Sequence, residues 1–328
     1  MKSNVLIIGS GAFGSALAQV LVYNKHDVSI YGINEKELQS LRYEGTNHLY
    51  FRELKLVRQL TAVYNDFDQA LNNQTYDFII LAIPSVAIAE TLAKLQAYNL
   101  ENTIIVNTSK GLDSNNMCSW YETIKTNLNV KGVSTLCGPS FALEVFSLIP
   151  TAVNIVGCDR SVLEDVKALF QNDWFFAIIS DKLNEANYIS CLKNALAIGS
   201  GIIYQTYLST NPISAFLVKG VKEIKTILKT ILKTDVDVDE YFGWGDIILT
   251  CTDIKSRNFN FGTKIATNGA QATIMNNKGT VEGYSNIKTI YELIQQHNIK
   301  APLFSYLYEI VYNEANIKQL FKIALSDE

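Results

Sequence analysis

Residues 4–8 (NVLII) form an apolar stretch of strand length that runs without a break into GSGAFGSALAQVLVYN. Gly9, Gly11 and Gly14 therefore stand as G-x-G-x-x-G between an expected strand and an expected amphipathic helix. That junction narrows the choice of fold more than any other feature of the chain. The first glycine permits a tight turn, the second lets a pyrophosphate approach the backbone, and the third lets the helix lie close against the strand. Ala12 and Phe13 fill the intervening positions at the start of the helix, whose free N–H groups and dipole favour a phosphate. The expectation is an N-terminal dinucleotide-binding domain with Gly9, Gly11, Ala12, Phe13 and Gly14 at the cofactor.

Strand and helix patterns keep alternating after the glycine turn. A second strand is expected over Asp27–Tyr31. Many NAD sites carry an acid at the end of that strand to hold the adenosine ribose. Here Tyr31, Gly32 and Ile33 stand there, followed by Asn34 and Glu35, so neither an acid nor a phosphate-binding arginine is evident. NAD and NADP both stay open. A helix over 35–42 and an irregular polar stretch over 46–66 come next. Residues 76–83 (YDFIILAI) are apolar throughout, as in a central parallel strand buried on both faces. Further strands are expected over 103–106, 133–136, in TAVNIVG and in WFFAIIS, with helices over 86–98, 114–128 and 161–170. Lys110 and Gly111 fall just past one strand, and Gly138, Pro139 and Ser140 just past another, at the carboxyl edge where open α/β sheets bind ligands.

From Asp181 onward the pattern is helical. The fold expected is an α/β, doubly wound Rossmann-type domain over 1–180 followed by an all-α domain over 181–328, the second binding substrate. Within it, residues 188–204 (YISCLKNALAIGSGIIY) read as a helix apolar on nearly every face with Lys193 at its middle. A lysine without a solvent face must be paired, reach outward along its stem, or work. About fifty residues downstream, GWGDIILTCTDIKSRN supplies Asp246, Thr250, Asp253, Ser256, Arg257 and Asn258. An aspartate near Lys193 would favour its charged form. Ser-Arg-Asn offers a hydroxyl, a guanidinium fork and an amide, suited to phosphate or polyol oxygens. The plainer reading of that turn is a charged cap on the next helix.

A net charge of −4 gives no general attraction for nucleic acid or anionic membrane, so any anionic ligand needs a local site. Five dispersed cysteines without a CxxC pair read as reduced thiols, neither a disulfide frame nor a metal site. The first strand begins too early for a targeting segment, and no apolar run reaches membrane-spanning length, so a cytoplasmic protein is expected. His26, His48 and His297 lie in polar text and read as surface residues, which leaves proton transfer to another group.

These residues together resemble the bacterial-type NAD(P)-dependent glycerol-3-phosphate dehydrogenases. Six blocks carry the resemblance in order from residue 9 to residue 286: GSGAFGSALA, NTSKGL, CGPSFALE, CLKNALAIGSG, GWGDIILTCTDIKSRNFNFG and VEGYSN. The resemblance implies NAD(P)H-dependent reduction of dihydroxyacetone phosphate to sn-glycerol 3-phosphate for phospholipid synthesis. It implies that Lys193 exchanges the proton at the C2 oxygen and that Lys110 contacts substrate and cofactor. Asp246 and Thr250 would face the substrate and the lysine. Ser256, Arg257 and Asn258 would grip the phosphate, with Arg257 also near the cofactor. Gly138 and Ser140 would touch substrate, while Ala142 and Glu282 would line the cofactor.

The chain departs from the family at Ala12 and Phe13, often Ser then Trp or Tyr, and at Ile33, commonly His or Arg. Lys219 replaces a common arginine, and residues 46–61 match poorly. A small-molecule substrate is the partner expected, with no nucleic acid and no membrane, and a homodimer stays open. Two other readings stand beside this one. A related two-domain reductase of another small 2-oxo or 3-hydroxy acid would have no need of the phosphate grip. A non-catalytic dinucleotide sensor would leave Lys193 without a task.

Overall fold

In the computed structural model, which describes residues 2–110, 112–113, 118–277 and 281–326, the apolar strand segments pair into one eight-stranded sheet. Gly111, Cys118's side chain, and the start of the helix expected over 114–128 lie outside the described residues. The strands are β1 (Asn4–Ile8), β2 (Asp27–Tyr31), β3 (Ala62–Tyr64), β4 (Phe78–Leu81), β5 (Leu100–Asn107), β8 (Val130–Cys137), β9 (Thr151–Val156) and β10 (Phe175–Ser180). Two-residue strands β6 (Leu112–Asp113) and β7 (Cys118–Ser119) take no part in it. The order is β10-β9-β8-β5-β4-β1-β2-β3, parallel except for the antiparallel pair β8–β9.

The central strands explain the doubly wound arrangement. Val5, Leu6, Ile7 and Ile8 of β1 and Ile79, Ile80 and Leu81 of β4 are at most 1% exposed. Strands apolar on both faces must be covered on both, and parallel connections place helices there. The helix Ala12–Tyr23 supplies Leu17, Val20 and Leu21 to a core shared with Val5, Ile7, Val106, Val153 and Phe175.

Several local expectations change. The polar stretch over 46–66 contains a short helix, His48–Phe51, and the edge strand β3, which pairs with β2 through Val63 opposite Ile30. The long helix expected over 86–98 is a single 3-10 turn, Ser85–Ala87, leading into Ile88–Leu95. His26 is not at the surface: it is buried, with Nδ1 accepting from the Ser3 N–H at 3.1 Å and Nε2 facing the Leu169 carbonyl at 3.2 Å. Burial lowers its pKa, so it is a neutral structural link.

The chain divides into two compact units, Met1–Ser109 with Asn115–Leu183, and Lys110–Ser114 with Asn184–Glu328. The second unit is helical and built on one long helix, Leu183–Tyr207, buried without interruption over residues 189–203. A helix apolar on all sides must be enclosed by others. Helices Thr210–Leu232, Asp246–Thr252, Arg257–Asn268, Glu282–Gln296 and Pro302–Asn313 belong to the same unit. Gly201 and Gly262 bring two of these backbones together: a Cβ on Gly201 would stand 2.0 Å from the Phe259 carbonyl oxygen, and one on Gly262 2.0 Å from that of Ile198. No described helix is long and apolar enough to cross a membrane.

Candidate active site

The first unit carries the glycine turn at the carboxyl end of β1. Gly9 has φ +118°, its N–H donates to the Tyr31 carbonyl at 2.8 Å, and a Cβ there would lie 2.3 Å from the Ala82 carbonyl oxygen. A Cβ on Gly14 would meet the Gly9 carbonyl oxygen at 1.9 Å, so helix and turn close on each other only because both side chains are absent. Around Gly11 the space is open within 4 Å, and this residue precedes the helix Ala12–Tyr23 with no side chain capping its first N–H groups. An uncapped helix start beneath an open glycine fits the pyrophosphate of a dinucleotide. Ala12 and Phe13 begin that helix and pack partly against the core. Because β1, β4, β5 and β8 run parallel, Gly138, Ser140 and Ala142 leave the same edge of the sheet. Gly138 adopts φ +140°, Ser140 Oγ donates to its carbonyl at 3.2 Å, and Ala142 opens the short helix Ala142–Phe146.

The second unit holds the charged cluster. Lys193 lies on the Leu183–Tyr207 helix with no solvent exposure. Its Nζ is 3.0 Å from Asp246 Oδ2, donates to Thr250 Oγ1 at 3.0 Å, and reaches Asn194 Oδ1 at 3.4 Å. All three ammonium donors are thus accounted for. Asp246 is the first residue of its helix, where the helix dipole favours a carboxylate. Thr250 lies one turn on, on the same face, and donates to Asp246 Oδ1 at 3.1 Å. Lys110, which leaves β5, belongs to this unit and places Nζ 3.2 Å from the same Asp246 Oδ2. Two ammonium groups therefore share one buried carboxylate.

Electrostatics within the cluster is a balance of burial against pairing. Burial pulls the Lys193 ammonium down, Asp246 opposes this, and Lys110 adds to the fall, leaving its pKa lowered to about 8. The aspartate does favour the charged form, as its position in the sequence suggested, but burial outweighs it. Lys110 is 31% exposed. Burial works against its charge, yet Asp246 and then Glu282 more than compensate, and its pKa is raised. Burial also opposes ionisation of Asp246, and Lys110 and Lys193 overcome it, so the carboxyl sits below the usual range.

A second set of contacts continues from Asn194. Asn258 Nδ2 donates to Asn194 Oδ1 at 3.0 Å, Asn258 Oδ1 accepts the Gly283 N–H at 3.0 Å, and Asn194 Nδ2 reaches Glu282 Oε2 at 3.4 Å. Asn258 and Glu282 are thereby linked to the lysine. Ser256 is buried and caps the helix Arg257–Asn268, accepting the Phe259 N–H at 3.3 Å, and Arg257 is exposed at the first position of that helix. The plainer reading of that turn, a helix cap, thus holds for Ser256. Asn194 was missed as a site residue although it follows Lys193 directly. A buried amide in an apolar helix was its only signal. Cys191 and Cys251 flank the cluster, and burial pushes both thiols up to about 12, leaving them protonated.

A family model described as the NAD-dependent glycerol-3-phosphate dehydrogenase N-terminus matches residues 4–162, and the corresponding C-terminus model matches residues 184–322. Glycerol-3-phosphate dehydrogenase (NAD(P)+) of Malacoplasma penetrans (strain HF-2) is 34% identical over 331 residues, covering 99% of this chain and 97% of that protein. The enzyme of the same name from Francisella tularensis subsp. novicida (strain U112) is 31% identical, covering 98% and 97%. The crystal structure of glycerol-3-phosphate dehydrogenase from Coxiella burnetii matches with a TM-score of 0.89 at 25% identity, covering 100% of this chain and 99% of that one.

Proposed function

The chain belongs to the NAD-dependent glycerol-3-phosphate dehydrogenase family, and from that premise we propose how its own residues carry the chemistry. The protein is an NAD(P)-dependent oxidoreductase that reduces dihydroxyacetone phosphate to sn-glycerol 3-phosphate, the reaction that supplies glycerol 3-phosphate for phospholipid synthesis. Gly9, Gly11, Ala12, Phe13 and Gly14 hold the dinucleotide on the domain spanning 1–180, with Ala142, Lys110, Arg257 and Glu282 as further cofactor-side residues. When bound, the reduced nicotinamide supplies a hydride to C2 of the substrate.

Lys193 does the acid–base work. As the C2 carbonyl is reduced its oxygen becomes an alkoxide, and the ammonium stabilises that charge and then delivers a proton to it. Of the three Lys193 contacts, that to Asn194 at 3.4 Å is the longest, and the substrate oxygen takes its place. Asp246 and Thr250 keep Nζ aimed while this happens. A group that titrates near 8 can give up its proton and regain it from water without a large cost in either direction. Lys110, Gly138, Ser140, Ser256, Arg257 and Asn258 bind the substrate, and anchoring its phosphate orients the carbonyl.

The observation that carries this reading is an ammonium with no solvent exposure held 3.0 Å from both Asp246 and Thr250. A dinucleotide sensor has no use for so costly an arrangement. Cys137, Cys158, Cys191 and Cys251 are free thiols, which supports a reducing, cytoplasmic setting, and a homodimer is the assembly to look for by light scattering. The test of function is the fall in NADH or NADPH absorbance on adding dihydroxyacetone phosphate. At least one should be oxidised rapidly, and unphosphorylated dihydroxyacetone at the same concentration should leave both almost untouched. Equal rates with the two substrates would remove the phosphate grip, and no oxidation by either would remove the reaction.

A further inference from the structure

The end of β2 holds a carboxylate that the linear text hides. Tyr31, Gly32 and Ile33 offer no acid, but the helix Glu35–Glu44 turns Glu37 back against the glycine loop, where it is only 6% exposed. Its Oε2 accepts the Ser10 hydroxyl at 2.5 Å. Its Oε1 accepts the Tyr50 hydroxyl at 3.0 Å and Asn34 Nδ2 at 3.3 Å. Ser10 lies between the first two glycines, and its carbonyl is fixed by Ser15 Oγ at 2.9 Å and Asn47 Nδ2 at 2.8 Å. Gly32 presses on the same hydroxyl, since a Cβ there would stand 2.1 Å from Ser10 Oγ. Glu37 is therefore fastened both to the phosphate-binding turn and to the end of the second strand.

The three donors to Glu37 are neutral, and among the described residues no ion pair includes it. On its own helix, Arg42 is committed to the Val63 carbonyl at 2.8 Å and Lys36 is exposed. Ile33 is 89% exposed and brings no charge. On a turn of this kind the adenosine ribose lies at the end of the second strand. A 2′-phosphate there meets a fixed negative charge with no guanidinium or imidazole from residues 31–34 to answer it. A ribose hydroxyl is a donor, and a carboxylate accepts about four hydrogen bonds, of which three are used here.

We propose that Glu37, tethered to Ser10, is a specificity-determining residue that makes this enzyme select NAD(H) over NADP(H). The proposal rests on the first unit binding the dinucleotide. Dissociation constants for NADH and NADPH are measured by nicotinamide fluorescence without substrate, and kcat/KM with dihydroxyacetone phosphate is measured in parallel. The native enzyme should bind NADH at least tenfold more tightly than NADPH. Glu37→Gln keeps an acceptor oxygen and the volume but not the charge, and should cut that ratio by roughly tenfold, equivalent to about 1.4 kcal/mol. Ile33→Arg, at an exposed position outside the core, tests the same field where Glu37→Gln does not fold, and should tighten NADPH specifically. Native preference for NADPH, or a ratio unmoved in the folded variants, would overturn the proposal while turnover with NADH left the dehydrogenase reading standing. Failure to bind either dinucleotide would overturn both.

Discussion

Lys193 shows how a single side chain is tuned by competing terms. Burial alone would strip its charge, and Asp246 alone would fix it permanently, so the pair leaves it near 8 with the proton movable. Two predictions follow from that balance. Lys193→Ala should lower kcat by roughly a hundred- to ten-thousandfold, the scale of general acid catalysis. The NADH dissociation constant should barely move, and near-normal turnover in this variant would remove the lysine from its role. The second concerns pH. Reduction needs the ammonium, so its rate should fall as pH rises through about 8, whereas oxidation of glycerol 3-phosphate needs the free amine and should rise through the same range. Asp246→Asn deletes the charge that raises the Lys193 pKa, so the residual activity should show both inflections at lower pH. An inflection left in place would mean that another group sets the profile. Lys193 was legible in the sequence because a lone charge in an apolar helix demands a reason. Asn194 and Glu37 were not, because their partners Asn258 and Ser10 lie 64 and 27 residues away and neither breaks a period or adds a motif.

Helices position that lysine by approaching one another more closely than side chains allow. Gly201 on the central helix and Gly262 on Arg257–Asn268 each place backbone where a Cβ would collide at 2.0 Å with a carbonyl oxygen of the other. Gly262→Ala should therefore force the helices apart and cost about 1–3 kcal/mol, the usual range for overpacking. Asn258 rides on the displaced helix and bonds Asn194 at 3.0 Å, so the KM for dihydroxyacetone phosphate should rise. A melting temperature equal to that of the native protein would show that the contact yields freely. Long buried elements of this kind are what sequence patterns reveal: β1, β2, β9, β10 and the Leu183–Tyr207 helix come close to the limits their apolar runs suggest. Short or half-buried ones are not. The three residues of β3 carry no alternation to notice and exist because β2 presents a free edge. The antiparallel β8–β9 pair is equally silent in the text, because only the five-residue helix Ala142–Phe146 stands between them and no full crossover is made.

On the scale of the whole molecule, a chain of net charge −4 must bind an anionic cofactor and an anionic substrate. Each unit carries its own local source of positive potential. In the first unit this is the uncapped start of the helix Ala12–Tyr23 beside open glycine, with no cationic side chain in the turn itself. In the second it is the pair Lys110 and Lys193, partly neutralised by Asp246. Lys110 was expected as a loop residue at the edge of the sheet, and only packing assigns it to the helical unit, because its partner carboxylate lies 136 residues downstream. Assigning the cofactor's pyrophosphate to the first unit and the substrate phosphate to the second can be tested by hydrogen exchange with each ligand alone. NADH at a hundredfold excess over its dissociation constant should stabilise the protein by about 2.7 kcal/mol and slow exchange of the amides of residues 9–14. Glycerol 3-phosphate alone should leave those amides unchanged and slow exchange across 246–258. If glycerol 3-phosphate protected the glycine turn, or NADH failed to, the division of labour would be wrong even with activity intact. The glycines would then serve only to let the helix Ala12–Tyr23 lie on β1, and the phosphate-binding role would have to pass to another helix start.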